Sequence, residues 1–248
     1  MQLLLIGIDD TDNLDSRGTG YRARCLTEAL QANDFGTVTG VTRHQLLVDD
    51  AIPYTSHNSS ACIRLESGNG GSVTAVIDFC RTFLLEDAAE GSDVGLCVAA
   101  LEAAARVQAY GRRAQKEVLQ RTEAEALAAS LQICLEGLTG DHGGKIGALA
   151  AVGLHSAGDD GRYIWVRGIR DLEEQTLSRD DLARMTGIER VCTVAGMEID
   201  DPAQKIYLGS WPRPVRDAGR ATLLVEKHHG ENAHWKVLDK QAIKAFRI

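Results

Sequence analysis

Little in this sequence is aromatic: Phe, Trp and Tyr make up 5% of its 248 residues. With Ala and Gly abundant, that scarcity suits close packing of helices on a sheet and argues against a β-sandwich. Basic clusters are lacking too. No Lys/Arg run of the kind that tracks a phosphate backbone stands out, and the formal net charge is −8, so the bulk charge argues against a nucleic-acid partner. There is no CxxC pair. The six cysteines, Cys25, Cys62, Cys80, Cys97, Cys134 and Cys192, have mostly apolar neighbours, so they read as buried thiols in a reducing compartment and not as disulfides or a zinc site. No apolar run is long enough to cross a bilayer, and no positively charged n-region opens the chain. These absences lead to the expectation of a cytoplasmic protein with no membrane partner. The 44% hydrophobic content allows one large domain or two small ones.

What is present begins with Leu3 to Tyr21, LLLIGIDDTDNLDSRGTGY. Leu3 to Ile6 reads as a buried strand. Asp9, Asp10 and Asp12 follow, then Gly18, Thr19 and Gly20, then a helical spacing of Tyr21, Cys25, Leu26, Ala29 and Leu30. Three neighbouring carboxylates repel one another, and something must offset that cost. One reading is an acidic loop in solvent. The other is Mg²⁺ held by the aspartates against phosphate oxygens, because ligands of open α/β sheets sit at the carboxyl ends of strands. If Thr19 caps the helix, the backbone N–H groups of Gly18 to Tyr21 are expected to face the aspartates as an anion site.

Val38 to Val48 and Ala61 to Leu65 read as strands, with Pro53 and the polar run Thr55 to Ser60 between them. That run is either a plain loop or a binder of phosphate or ribose oxygens. Gly68 to Gly71 is a turn, Val73 to Leu85 a helix, and Glu86 to Asp93 an acidic loop. Val94 to Ala99 is either strand or the start of the Ala-rich helix that follows, Glu102 to Tyr110. Lys116 to Gln120 is a weak strand. Thr122, with Glu125 three residues on, has the pattern of a capping box.

A second informative stretch is Ile133 to Gly153, ICLEGLTGDHGGKIGALAAVG. A short strand leads into a loop with glycines at 137, 140, 143, 144 and 147 and then into a helix of small residues. That layout cradles phosphates on backbone N–H groups, with Lys145 as the lysine that reaches an outer oxygen. It is not a Walker A loop, because Ile146 stands where a Ser or Thr is required. From Gly158 onward short strands dominate, Ile188 to Ile199 and Arg220 to Lys227 among them. Pro202, Pro212 and Pro214 lie in their connections. Tyr207 and Trp211 read as core of this tail, with a homodimer contact as the alternative. His228, His229 and His234 lack the Cys or spaced carboxylate that would complete a metal set.

Three strings together carry a resemblance. Ile8-Asp9-Asp10-Thr11-Asp12, Ile52-Pro53-Tyr54, and Gly143-Gly144-Lys145-Ile146-Gly147-Ala148-Leu149-Ala150-Ala151-Val152-Gly153 resemble the archaeal tRNA-isoleucine agmatinyl-cytidine synthetases over about residues 3 to 155. The resemblance implies an α/β (α+β) fold. A kinase-like nucleotide-binding domain (1–59 with 131–157) would be interrupted by a ferredoxin-like insert (60–130), and a strand-rich C-terminal region (158–248) would follow. It implies ATP and Mg²⁺, with Asp9, Asp10 and Asp12 on the metal and Gly143, Gly144, Lys145 and Gly147 near the phosphates. Thr19 is the nearest counterpart of a threonine that becomes phosphorylated in that family, and Gly18 and Gly20 flank it. The family's Cys-Thr-Thr run after IDDTD is replaced by Gly18-Thr19-Gly20, and its basic, glycine-rich string after IPY by Thr55 to Ser60. The family's OB-type domain and Cys₄ zinc ribbon are not recognisable after 156.

The expectation is therefore a Mg-ATP-dependent phosphoryl-transfer or ligase-type enzyme acting on a small molecule or nucleoside, and not on tRNA. One alternative is a nucleotide-binding regulatory module without turnover. Another is a phosphatase of the haloacid-dehalogenase type, suggested by the DxD spacing of Asp10 and Asp12, although Leu14 stands where such enzymes carry Thr.

Overall fold

The computed structural model describes residues 2–52, 58–68, 72–230 and 232–245. Pro53, Tyr54, the Thr55–His57 part of the polar run and residues 69–71 of the expected turn lie outside the described residues. The chain divides into two compact units, Met1–Ala157 and Gly158–Ile248.

In the first unit five strands form one antiparallel sheet: β1 (Leu3–Asp9), β2 (Gly36–Gln45), β3 (Ser59–Ser67), β4 (Gly95–Ala100) and β5 (Cys134–Gly137). Their order is β5-β4-β1-β3-β2. β1 is central because it is apolar on both faces. Segment 60–130, expected as an insert, places its strands β3 and β4 on either side of β1. Gly7 faces Cys62 across one ladder and Cys97 across the other.

The helices are α1 (Thr19–Ala32), α2 (Val73–Glu86), α3 (Leu101–Ala104), α4 (Gln108–Ala114), α5 (Arg121–Leu131) and α6 (Lys145–Ala157). A strand sends alternate side chains to opposite faces. Leu5 shares a core with Cys62, Cys97 and the α6 residues Ala148 to Leu154. Leu4, Ile6 and Ile8, the alternate set, are fully buried as well, and α1 packs on β1, β2 and β3 while α2 packs on β4.

α6 is so rich in small residues because it lies almost on the backbone of the sheet. A Cβ added at Gly7 would stand 2.1 Å from the Ala148 carbonyl oxygen. A buried polar tie adds to this packing. The Thr42 hydroxyl lies 2.7 Å from His44 Nε2 and 2.8 Å from His155 Nδ1.

Two local expectations fail here. Residues 116–120 form no strand. The capping box at Thr122 does not form either. α5 begins at Arg121 with no side-chain cap, because the Glu125 carboxylate accepts a hydrogen bond from Lys145 Nζ at 2.7 Å instead.

The second unit contains β6 (Arg162–Trp165), β7 (Thr176–Ser178), α7 (Arg179–Met185), β8 (Arg190–Thr193), β9 (Lys205–Tyr207), β10 (Val215–Asp217), β11 (Arg220–Lys227), β12 (Trp235–Val237) and α8 (Lys240–Ala245). Its strands run β6-β10-β11-β12-β9-β7, and β8 pairs in parallel with β11. Leu223, Val225, Ile206, Val191 and Trp235 anchor its own core. The strand expected over Ile188 to Ile199 is cut short by a turn at Gly196, whose φ is +84°. Trp211 is not core. It is 56% exposed, because two arginines hold its ring at the surface: Arg213 Cζ lies 4.9 Å and Arg170 Cζ 5.7 Å from the ring centroid.

Gly7→Ala should lower stability by roughly 1–3 kcal/mol through overpacking against α6, read as a fall in the urea midpoint. An unchanged midpoint would rule out so close a contact.

Candidate functional site

The register of the first sheet brings three chain ends together. Asp9 pairs with Gly95, and Gly95 with Gly137. The end of β1 therefore lies beside the start of β4 and the end of β5. The loops leaving these points meet the starts of α1 and α6 around a cleft of about 280 Å³, near the lower end of the ~300–1,000 Å³ common for ligand sites. Of the residues singled out in the sequence, Asp9, Asp10, Asp12, Thr19, Gly143, Gly144 and Gly147 line it, as do Asn58 and Ser59 from the polar run. Asp93, Asp141, Glu117 and Arg121 line it too, and sequence reasoning had missed all four. Gly18, Gly20 and Lys145 do not line it.

Asp9 follows Leu5 and Gly7 on the α6 face of β1. A Cβ at Gly147 would stand 1.8 Å from Asp9 Oδ2, so only glycine at that position leaves room for the carboxylate. Burial, and then the charge of Asp10, push the Asp9 carboxyl up to about 8. Asp10 takes a left-handed backbone, φ 51°, which Asp tolerates better than most residues. That turn takes the chain out of β1. Burial first, then the charges of Asp93 and Asp12, push Asp10 up to about 6.

Asp12 does a different job. Its Oδ1 accepts the Thr19 backbone N–H at 3.0 Å and the Thr19 hydroxyl at 2.7 Å. The N-cap is Gly18, with no side-chain cap of its own, and the Asp12 carboxylate caps the helix in its place. The expected anion site at Gly18 to Tyr21 is therefore in use within the protein: Asp12 takes the Thr19 N–H, and the Gly18 carbonyl takes the Tyr21 N–H at 2.8 Å.

The glycine loop is used in the same way. Asp93 Oδ1 accepts the Asp141 N–H at 2.7 Å, Asp141 Oδ1 accepts the Gly143 N–H at 2.8 Å, and the Asp93 carbonyl accepts the Gly144 N–H at 2.9 Å. The Lys145 and Ile146 amides bond the carbonyls of His142 and Gly143. These glycines serve close approach: a Cβ on Gly144 would stand 2.3 Å from the Asp93 carbonyl oxygen. Burial holds the Asp93 carboxyl above its ordinary value. The Asp141 amide opposes that shift, and the Asp141 carboxyl reinforces it. Lys145 is held by Glu125, and the Arg121 guanidinium donates to the Asp141 carbonyl.

The cleft thus gathers Asp9, Asp10, Asp12, Asp93 and Asp141, with Arg121 as the one cationic side chain lining it among the described residues. Among those residues no three His, Cys, Asp or Glu side chains converge as a ready-made metal set. Hard carboxylate oxygens carrying uncompensated charge nonetheless fit a hard divalent cation by chemistry. Asp9 and Asp10, raised to about 8 and about 6, are the pair that a bound cation would relieve.

No protein-family model and no curated protein matches the chain. Solved structures do. The chain is 29% identical to TiaS in a crystal structure of its complex with an isoleucine tRNA and ATP, with a TM-score of 0.56, covering 62% of this chain and 36% of that one. Against apo TiaS, a tRNA agmatidine synthetase, the identity is 27% and the TM-score 0.53, over 61% of this chain and 35% of that one. Against TiaS in complex with the same tRNA, AMPCPP and agmatine the values are 28% and 0.54, over 62% and 36%. The fold is TiaS-like, and the chain spans about a third of the length of these proteins.

Because Asp9 is raised from an ordinary 3.8 to about 8, the folded state holds this proton more tightly than the unfolded chain does. Its contribution to stability is complete below pH ~4 and is lost as pH rises toward 8. In EDTA, wild type should therefore lose more melting temperature between pH 5 and pH 8 than Asp9→Asn does. Parallel profiles would show that Asp9 is not buried as a strained carboxyl.

Proposed function

We propose that the chain carries an ATP-dependent phosphoryl-transfer or ligase-type activity on a small molecule or nucleoside, with Mg²⁺ held at Asp9 and Asp10. The observation that carries this reading is the convergence of mutually repelling carboxylates, Asp9 and Asp10 among them half-buried, on one cleft, in a fold shared with a protein whose crystals hold ATP or AMPCPP. Mg²⁺ would neutralise these carboxylates and draw triphosphate oxygens to the cleft.

The chain's own groups then take distinct roles. Thr19 offers its hydroxyl as phosphoryl acceptor, and Asp12, 2.7 Å away, is placed to take the proton, the pairing that activates a weak nucleophile. Asp93 and Asp141 fix the start of α6, and Gly143, Gly144 and Gly147 let the loop close on the aspartates. Lys145 reaches phosphate only by leaving Glu125. An acceptor with a cationic amine suits the acidic wall formed by Asp93, Asp141 and Glu117, and agmatine sits in one of the similar crystals.

Calorimetric titration of ATP with and without Mg²⁺ tests the reading. Binding should need Mg²⁺ and weaken at least tenfold in Asp10→Asn. Intact mass after incubation with Mg-ATP should show one phosphate on wild type and none on Thr19→Val. Adding cytidine or tRNA with agmatine then separates a nucleoside acceptor from an RNA one. Mg-ATP binding without phosphate gain or turnover would favour the regulatory module, a reading supported by the Lys145–Glu125 pair that keeps the loop's lysine from the cleft. No heat and no rise in melting temperature with Mg-ATP would remove both.

A further inference from the structure

The second unit carries a cluster that the acidic cleft does not explain. Pro212 and Pro214 fix the φ of a short connection, and the Tyr163 N–H bonds the Pro214 carbonyl at 2.8 Å. Val215 pairs with Arg162 on β6. This geometry brings Trp211, Arg213, Arg170 and Arg162 into one neighbourhood. Arg213 and Arg170 lie over the half-exposed indole, their Cζ atoms 4.9 and 5.7 Å from the ring centroid.

The arginines lack the partners such residues usually find. Among the described residues none of the three pairs with a carboxylate. Arg170 donates to the Ile164 carbonyl at 3.1 Å and Arg162 weakly to the Ile243 carbonyl at 3.5 Å. Arg213 Nε is buried with no hydrogen-bond partner among the described residues. The charged groups that Arg213 feels are Arg162 and Arg170, and its burial together with these holds its guanidinium below the ordinary value. Three like charges gathered with no carboxylate paired to them among the described residues, in a chain of net charge −8, are held against their own repulsion.

An anion relieves that repulsion. Guanidinium forks match phosphate oxygens, and the part of the indole left exposed beside them offers a stacking face to a planar base. We infer that Trp211, Arg170, Arg213 and Arg162 form a binding site for a phosphorylated nucleotide unit, its base on the indole and its phosphate on the guanidiniums. The unit is either free or part of a single strand. The site is separate from the aspartate cleft and does not rest on the function proposed for that cleft.

The test uses fluorescence anisotropy with the full chain, a fluorescein-labelled single-stranded 12-mer RNA, and AMP as competitor. The background is Asp10→Asn, so that failure of the cleft reading leaves this result untouched. The labelled strand should bind, and Trp211→Leu should weaken it roughly tenfold, the scale of one lost base stack. Arg170→Gln with Arg213→Gln should weaken it further and lower the slope of log affinity against log salt by about 1.4, at ~0.7 per phosphate contact. AMP displacing the strand at concentrations near the strand's own dissociation constant identifies a free nucleotide as ligand. Displacement only at far higher concentration identifies the strand. Circular dichroism and melting temperature of the exposed-site variants must match the parent, and Arg162→Lys, which keeps charge but loses the fork, serves as a milder third variant. If the parent binds neither strand nor AMP, or if correctly folded variants bind as well as the parent, the proposal is wrong.

Discussion

The close approach of α6 to the sheet is the constraint on which the rest of the first unit depends. Gly7 removes a side chain from the strand, and Gly144 and Gly147 remove two from the helix end. What is left is backbone and small side chains in contact, at a spacing where a single methyl group has no space. Packing this tight leaves Asp9, at the end of β1, half-buried between α6 and the cleft. A carboxylate that loses part of its water is favoured when protonated, paired or bound to a cation. Among the described residues no basic side chain bears on Asp9, and its neighbour Asp10 adds negative charge. The electrostatics of the cleft therefore follow from the geometry of the packing, not from the acidity of the chain as a whole.

The start of α6 is the counterpart of this strain. A helix N-terminus carries a partial positive charge and unpaired N–H groups. Here Asp93 and Asp141 take up the amides of Asp141, Gly143 and Gly144, and Asp12 takes that of Thr19 at the start of α1. Two helix ends are thus capped by acids from other parts of the chain, and each cap pins a loop to the cleft. The same groups that look like a phosphate cradle in sequence are holding carboxylates. A phosphate at this site is drawn by a cation on the aspartates more readily than by free amides.

Much of this was legible in the sequence wherever the signal was local. The apolar run ending in aspartates, the 3.6-residue spacing of α1 and the small-residue stretch of α6 gave the central strand and two helices to within a few residues. β11 runs from Arg220 to Lys227, the bounds expected from its composition. What was not legible depended on distant partners. Asp93 sat in an acidic loop of no apparent interest, because only the antiparallel pairing of β4 with β1 carries it to Asp9. Asp141 was hidden among glycines that suggested N–H groups facing outward. Glu125 fitted a capping box until Lys145, twenty residues on, drew it away. Whether Asp9, Asp10 and Asp12 act on a metal was never in the local pattern, and that depends on charge brought together from four loops.

Bulk charge misleads in the same way. A net charge of −8 is an average over places that differ in sign. In the first unit acids converge on a cleft with Arg121 in its wall. In the second, Arg170 and Arg213 lie over a tryptophan and Arg162 bears on Arg213, with no acid among the described groups that act on it. Beyond a Debye length of about 8–10 Å the sum of charges counts for little, and a ligand in contact responds to the groups beside it. The overall acidity that argued against a nucleic-acid partner therefore carries no weight at Trp211, where the local field has the opposite sign and the ring supplies the face that a base would need.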